Sequence, residues 1–373
     1  MTKEYHFIQE LREQPGAVRK SLAQTNTQLS EMARVYAKKI KRLILTGCGD
    51  PYMLSFAAAE ALEEWAGIPA EVIEAADLTM YRNASLLTSE TLLILITSSG
   101  KTVKVIDAAR MAAARGVPCF ALTNRAPSPI TDETRQVVQT QSGWSDSFPT
   151  KQTTSALAVL YSFALHLAEL RETIPRAQIE SLRAELFDQV PAAMGATLNL
   201  ESQMQELANE YVSAPFYAFI GSGPNLTTAL LGAAKMKETS QSKAEGSNLE
   251  EYGHLHALSL KDGDPVFVVT APGKIGERSA LIGRYIVANG GTPIVVGTQS
   301  EKSAWSQIQA KYVEVPDHSE IYGPLIALLP LQMFAYYTAL AKSRNPDRPP
   351  ERGGMGYLQK IIYTGVLEGW EKR

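Results

Sequence analysis

The chain has 373 residues, 45% hydrophobic and 20% charged, with a formal net charge of -3. So much apolar sequence excludes general disorder and exceeds what one domain usually holds. Lys and Arg are scattered rather than gathered into a basic stripe, which argues against a nucleic-acid binder, and two cysteines, Cys48 and Cys119, suggest neither a disulfide framework nor a zinc cluster.

The N-terminus "MTKEYHFIQELREQPGAVRK" carries no signal-peptide core, and no run of eighteen residues passes without a polar break. A cytoplasmic protein with no membrane attachment is expected. From about Tyr5 to Lys41 the pattern is helical, in two segments parted at "QPG" around Pro15. Then "RLILTGCGD" reads as strand and loop, "MLSFAAAEALEEWAG" as helix and "PAEVIEA" as strand. "TLLILITSSGKT", "VKVIDAARMAAARG" and "VPCFALTN" repeat the alternation, and the helix in "TKQTTSALAVLYSFALHLAEL" closes the unit near Arg171. Buried apolar runs alternating with helices specify a parallel sheet covered on both faces.

Residues 172–212 read as a helical connector. The rhythm then resumes with "PFYAFIGSGPN", the helix "LTTALLGAAKMKETSQSKA", "DPVFVVTAPGKIGE", "RSALIGRYIVANGG", "TPIVVGTQ", "KYVEVP" and the apolar helix "YGPLIALLPLQMFAYYTALAKSR". "RLILTGCGDP" matches "FYAFIGSGPN", and "TLLILITSSGKT" matches "PVFVVTAPGKIG", an internal duplication of an α/β unit of about 130 residues. The expected organisation is a helical segment (1–40), two α/β domains (41–171 and 213–342) around the connector (172–212), and a Pro/Gly-rich tail (343–373).

In "LILITSSGKTVKVIDAARMAA", Thr97, Ser98, Ser99 and Thr102 stand between a strand's carboxyl end and a helix. Free N–H groups at a helix start, hydroxyls and the tight turn allowed by Gly100 suit a phosphate or another multi-oxygen anion. An ordinary capped helix reads the same way. The second half's "TAPGKIG" keeps Thr270 but loses the paired serines, so the two pockets are not equivalent. Gly47-x-Gly49 lacks the third glycine of a dinucleotide fingerprint, "APGKIGE" lacks the Lys-Ser/Thr ending of a nucleotide phosphate loop, and no metal-ligand spacing is distinctive. No cofactor and no metal are expected. Asp50 and Ser55 border the first cleft, Asp50 serving equally as a turn residue. The stretch "GAAKMKETSQSKAEGSNLEEYGHLHA" opens as a helix and then crowds Glu238, Glu245, Glu251 and His254 together. By spacing alone, Lys235 and Glu238 form a surface pair worth a few tenths of a kcal/mol.

Together "ELREQPGAV", "GCGD", "ITSSGKT", "PTKQTTS", "KMKETSQSKAE…EEYGH" and "LLPLQMFAYYTALAKSRNPDRP" resemble the tandem sugar-isomerase (SIS) domain proteins. This group includes the isomerase half of glucosamine-fructose-6-phosphate aminotransferase and the fructosamine-6-phosphate deglycases. The resemblance implies two SIS units, each a five-stranded parallel sheet flanked by helices, assembled as a homodimer. The aminotransferase's glutaminase half has no counterpart, so glutamine-dependent amidotransfer is not expected. Carried over residue by residue, the anion loop falls on Thr97, Ser98, Ser99 and Thr102. A second substrate-contacting stretch falls on Thr150, Lys151 and Thr153; Cys48, Gly49, Asp50, Ser55, Lys101, Lys235 and His256 are further candidate substrate contacts. The catalytic glutamate matches Glu238; the catalytic histidine matches His254, sixteen residues later and contributed by the neighbouring subunit. A tail lysine corresponds to Lys360. Two departures stand out: Lys101 replaces a usually acidic residue, and "HLHA" replaces the usual "HGP".

The implied chemistry is proton transfer between C1 and C2 of a sugar, preceded by ring opening. A carboxylate moves the carbon-bound proton if burial raises its pKa, and an imidazole assists ring opening. Glu251 either orients His254 or merely shares its helix face. The expected function is isomerisation, deamination or deglycation of a phosphorylated or otherwise anionic sugar or amino-sugar. The alternatives are an aldose–ketose isomerase of a non-phosphate anionic sugar such as a sulfo-sugar, and a non-catalytic sugar-phosphate-binding regulator. Retention of Glu238 and His254, and the lack of a helix-turn-helix head, disfavour the regulator.

Overall fold

Helix α1 runs unbroken from His6 to Tyr36 with Pro15 inside it, rather than as two segments. Proline has no N–H, so the Leu11 carbonyl one turn back loses its usual donor. Gln14 replaces it: its Nε2 donates to Leu11 O at 3.2 Å and to Gln332 Oε1 at 2.7 Å. Thr154 Oγ1 in turn donates to Gln14 Oε1 at 3.0 Å. A buried side chain thus carries the helix across its proline.

The computed structural model describes residues 4–348; the expected tail beyond them, Lys360 included, lies outside the described residues. Contacts divide the chain into two units. One holds residues up to Arg19, Ser145–Thr154 and Ala184–Arg348; the other holds Lys20–Trp144 and Ser155–Arg183.

The unit containing Lys20–Trp144 is built on β1 (Arg42–Gly47), α2 (Asp50–Ala66), β2 (Ala70–Glu74), α3 (Ala75–Met80), β3 (Thr91–Thr97), α4 (Val103–Arg115), β4 (Cys119–Thr123), α5 (Pro129–Glu133), β5 (Val137–Gln139) and most of α6 (Lys151–Arg171). Its five strands are parallel, in the order β2-β1-β3-β4-β5. All seven residues of β3, "TLLILIT", are buried. A strand without polar alternation requires cover on both faces, and helices supply it. On one face Ile44, Leu93 and Leu95 pack with Val105, Ala109 and Ile130 of α4 and α5.

Helices α7 (Arg176–Ala184), α8 (Val190–Thr197) and α9 (Glu201–Glu210) fill the stretch expected as a connector, but α7 up to Arg183 belongs to the first sheet's unit and α8 and α9 to the second's. The second sheet follows: β6 (Tyr217–Gly221), α10 (Asn225–Lys235), β7 (Ala244–Asn248), α11 (Leu249–His254), β8 (Pro265–Val269), α12 (Gly276–Ala288), β9 (Thr292–Thr298), α13 (Lys302–Trp305) and β10 (Lys311–Val315), then α14 (Gly323–Ile326) and α15 (Leu328–Ala341). Its order, β10-β9-β8-β6-β7, repeats the first sheet: counted from its own first strand, each unit runs 2-1-3-4-5. The duplication read from the sequence is therefore one of topology, and each unit is a three-layer α/β/α fold.

Strand β7, "AEGSN", has no apolar run to announce it. Among the described residues it pairs only with β6, and a Cβ at Gly246 would lie 2.6 Å from Ala229 O and from Leu230 Cα of α10. Close helix approach, not hydrophobicity, selects that residue. Two segments, Lys151–Arg171 and Glu320–Ala341, are long and apolar enough to cross a membrane by length and hydropathy, but 89% and 83% of their apolar windows are buried inside the protein. They are core helices.

Candidate active site

The Ser/Thr loop leaves the carboxyl end of β3. Buried Thr97 sets its Oγ1 3.0 Å from Thr102 Oγ1, which pins the two ends of the loop together. Thr102 immediately precedes α4, yet its side chain makes no capping bond. The helix's first N–H groups are therefore not satisfied in the usual way. Gly100 has φ +68, where a Cβ would run into Ser128 Oγ, and Ile130 N–H donates to its carbonyl at 3.0 Å. Ser99 Oγ accepts from Lys101 N–H at 3.2 Å, Ser99 and Lys101 themselves being exposed.

In the same unit, Gly49 (φ 65) turns the chain from β1 into α2, and Asp50 is buried in the helix's first turn. Cys48 Sγ donates to Glu74 Oε1 at 2.9 Å; burial and that carboxylate push the thiol up to about 12. Ser55, fully buried, donates to Pro51 O at 2.7 Å. These two side-chain hydrogens are committed within the fold.

A rim that sequence reading missed adjoins this loop. Asn124, at the end of β4, donates its N–H to Ser98 O at 3.1 Å and its Nδ2 to Gly143 O at 2.7 Å. Its Oδ1 accepts from Thr140 Oγ1 at 2.9 Å and from Ser142 Oγ. One amide thus ties the Ser/Thr loop to the segment carrying Trp144, and the Arg125 guanidinium lies 4.8 Å from the Trp144 ring centroid. The available signal was Thr123-Asn124 at the carboxyl end of a parallel strand, where ligands gather.

In the other unit, Lys235 is fully buried, and its Nζ meets Glu238 Oε2 at 2.7 Å; the Glu238 side chain is 27% exposed. The pair is not a surface one. Glu238 sits on a π turn, Met236–Ser240, that widens the end of α10 and stops at Gln241 with φ 54. Such turns displace a side chain from the regular helical register and recur at functional sites. Because α10 runs antiparallel to its strands, Glu238 stands at the sheet end where β6 and β7 begin; Tyr217 N–H bonding Lys243 O marks that end.

His254 closes α11 with its side chain 74% exposed, and its Nε2 lies 3.6 Å from Glu250 Oε1. The acid that faces it is Glu250, one helical turn away, not Glu251. Arg278 grips the same Glu250 and, with His254, lowers its pKa. His256 takes a different place: its Nδ1 lies 3.3 Å from Glu245 Oε2, and its ring stacks on Tyr252. It lines a cavity of about 390 Å³ with Phe216, Lys243 and Lys261. Lys151 Nζ contacts Glu13 Oε2 at 2.6 Å; beside it Thr150 Oγ1 is buried with no partner among the described residues. Thr153 is also buried. No group of three or more His, Cys, Asp or Glu among the described residues is placed to hold a metal ion.

One family model, the SIS domain, matches residues 37–166 and again 213–342. The chain belongs to the SIS-domain family. Among curated relatives, the isomerizing glutamine–fructose-6-phosphate aminotransferase of Gloeobacter violaceus is 31% identical over 353 residues, covering 92% of this chain and 57% of that protein. This SIS protein thus spans little more than half the length of the curated relatives it matches. The C-terminal domain of glucosamine-fructose-6-phosphate aminotransferase from Francisella tularensis superposes with a TM-score of 0.86 at 22% identity, covering 93% of this chain and 99% of that one. Tagatose-6-phosphate ketose/aldose isomerase from Escherichia coli gives 0.77 at 18% identity, covering 93% and 95%. Both structures speak for the tandem SIS fold. The first SIS match contains the Ser/Thr loop, and the second contains Glu238 and His254.

Proposed function

We propose that this SIS protein isomerises a sugar carrying a terminal anion, a sugar phosphate first among candidates, by moving a proton between C1 and C2. The observation that carries the reading is Glu238: a partly exposed carboxylate, displaced on a π turn and held at 2.7 Å by a fully buried ammonium. A carboxylate so fixed is oriented before substrate arrives, and general acid–base transfer by such a group contributes about 10²- to 10⁴-fold in rate. The Ser/Thr loop (Thr97, Ser98, Ser99, Thr102) holds the anion. Glu238 takes the C2 proton of the open-chain aldose, leaving an enediolate across C1 and C2, and returns it to C1 while the O2 hydroxyl proton passes to O1, which gives the ketose. His254 opens the ring, and its exposure on the protomer suits a residue given to a second copy's site, so the working form is a homodimer. The names of the relatives, an isomerizing aminotransferase and a ketose/aldose isomerase, support proton transfer at these carbons. Deamination and deglycation use the same transfer and add a nitrogen leaving group.

The test is NMR-detected deuterium incorporation at C1 or C2 in D2O. The panel comprises fructose 6-phosphate, glucosamine 6-phosphate, a fructosamine 6-phosphate adduct and 6-deoxy-6-sulfofructose. Exchange into at least one member is expected, and nitrogen release from an amino-sugar member would select deamination or deglycation. Tight binding of the panel with no exchange into any member would leave a binding protein and overturn the enzymatic reading.

A further inference from the structure

We propose that Arg125, seated on Trp144, supplies the positive charge for the substrate's terminal anion and sets the site's selectivity for an oxyanion of the phosphate or sulfonate type. The inference deepens the function proposed above and rests on its anion-loop assignment.

The Ser/Thr loop offers hydroxyls and N–H groups, and its one cation, Lys101, is exposed and stacks on no aromatic ring among the described residues. Neutral donors bind an oxyanion by geometry, and a charged donor roughly doubles the strength of each hydrogen bond. The rim beside the loop provides one. β3 and β4 are neighbours in the sheet, and Asn124 N–H is bonded directly to Ser98 O, so Arg125 is one residue from the loop's own hydrogen-bond network. Its backbone is fixed on both sides: Arg125 N–H donates to Thr123 Oγ1 at 3.3 Å, and Ser128 Oγ donates to Arg125 O at 2.7 Å. Ser128 is the same residue that crowds Gly100 of the loop.

The guanidinium is exposed and makes no ion pair among the described residues; it lies over the Trp144 face. Trp144 is held by Gly143, whose carbonyl accepts from Asn124 Nδ2. Stacking on an aromatic face orients a planar guanidinium while leaving its N–H fork open, which matches two oxygens of a tetrahedral anion. A large aromatic side chain 60% exposed, braced in this way at the ligand end of a parallel sheet, is better explained by a ligand than by solvent.

The experiment is calorimetric titration of the full chain with fructose 6-phosphate, 6-deoxy-6-sulfofructose and neutral fructose, with deuterium exchange measured in parallel. Arg125→Gln is expected to weaken both anionic ligands tenfold or more, leaving fructose unchanged and the exchange kcat within about threefold. Arg125→Lys keeps the charge but lacks the planar fork, and recovers only part of the affinity. Trp144→Ala weakens the anionic ligands severalfold. Between pH 7.5 and 5.5, fructose 6-phosphate loses affinity as its second ionisation, near pH 6, reverses, and it loses more in wild type than in Arg125→Gln; the sulfonate stays level. The arms thereby separate the two anions. If Arg125→Gln binds both anionic ligands within twofold of wild type, the proposal is overturned and the anion-loop assignment stands. If wild type binds neither anion better than fructose, both fall.

Discussion

Lys235, fully buried, places its ammonium 2.7 Å from the Glu238 carboxylate across a turn that the helix widens to five residues. A surface pair of this spacing couples by a few tenths of a kcal/mol, whereas a buried charge-assisted bond is worth more. A double-mutant cycle with Lys235→Met and Glu238→Gln, read by urea unfolding, is expected to give a coupling of about 2 kcal/mol. A value below about 0.5 kcal/mol would mean that the two side chains merely lie close together.

The Gln14 side chain stands in for the N–H that Pro15 lacks, and its amide also engages Gln332 and Thr154. Gln14→Leu leaves the Leu11 carbonyl buried without that donor. A destabilisation of about 2 kcal/mol is expected in chemical denaturation. A loss under 0.5 kcal/mol would show that the helix crosses its proline by other means.

Gly100 combines φ +68 with a Cβ position already occupied by Ser128 Oγ. Gly100→Ala therefore strains the backbone and displaces the rim that braces the loop, at a cost of roughly 1–3 kcal/mol. The accompanying expectation is a raised KM for the anionic sugar. Unchanged KM in a folded variant would remove this loop from the anion site.

His166 bonds Asn26 at 2.8 Å, and burial, aided by the Arg183 charge, lowers its pKa to about 4 from 6.5. As pH falls, the unfolded chain takes up the proton first. Stability fully present above about pH 6.5 is therefore lost progressively toward pH 4, by on the order of 2 kcal/mol after allowance for solvent screening. Comparing urea midpoints at pH 7.5 and 5.0, His166→Gln should lose distinctly less than wild type. Equal losses would show that His166 does not titrate differently on folding.

Much of this was legible because it is local. The repeated strand–loop–helix runs "RLILTGCGDP" and "FYAFIGSGPN" announced two units of one topology, since buried parallel strands need continuous apolar sequence. What escaped depends on contacts distant in sequence. The proline break at Pro15 was misplaced because its remedy comes from Gln14, itself set by Gln332 and Thr154. Strand β7 was read through because a half-exposed edge strand has no hydrophobic signature. Lys235 looked superficial because i,i+3 spacing says nothing about which helix face is buried. Glu250 displaced Glu251 beside His254 because a helix of six residues sets its own phase. The Arg125–Trp144 rim was invisible because its two stretches, more than ten residues apart, meet only through contacts such as those of Asn124 and the pairing of β4 with β5.

The central claim is that Glu238 carries the proton. It is tested most directly by deuterium incorporation at C1 or C2, measured by NMR for wild type and Glu238→Gln with the sugar of the panel that exchanges. Glu238→Gln is expected to slow exchange by about 10²-fold or more while its affinity for the same sugar, measured calorimetrically, stays within about threefold. Exchange by Glu238→Gln at the wild-type rate would contradict it.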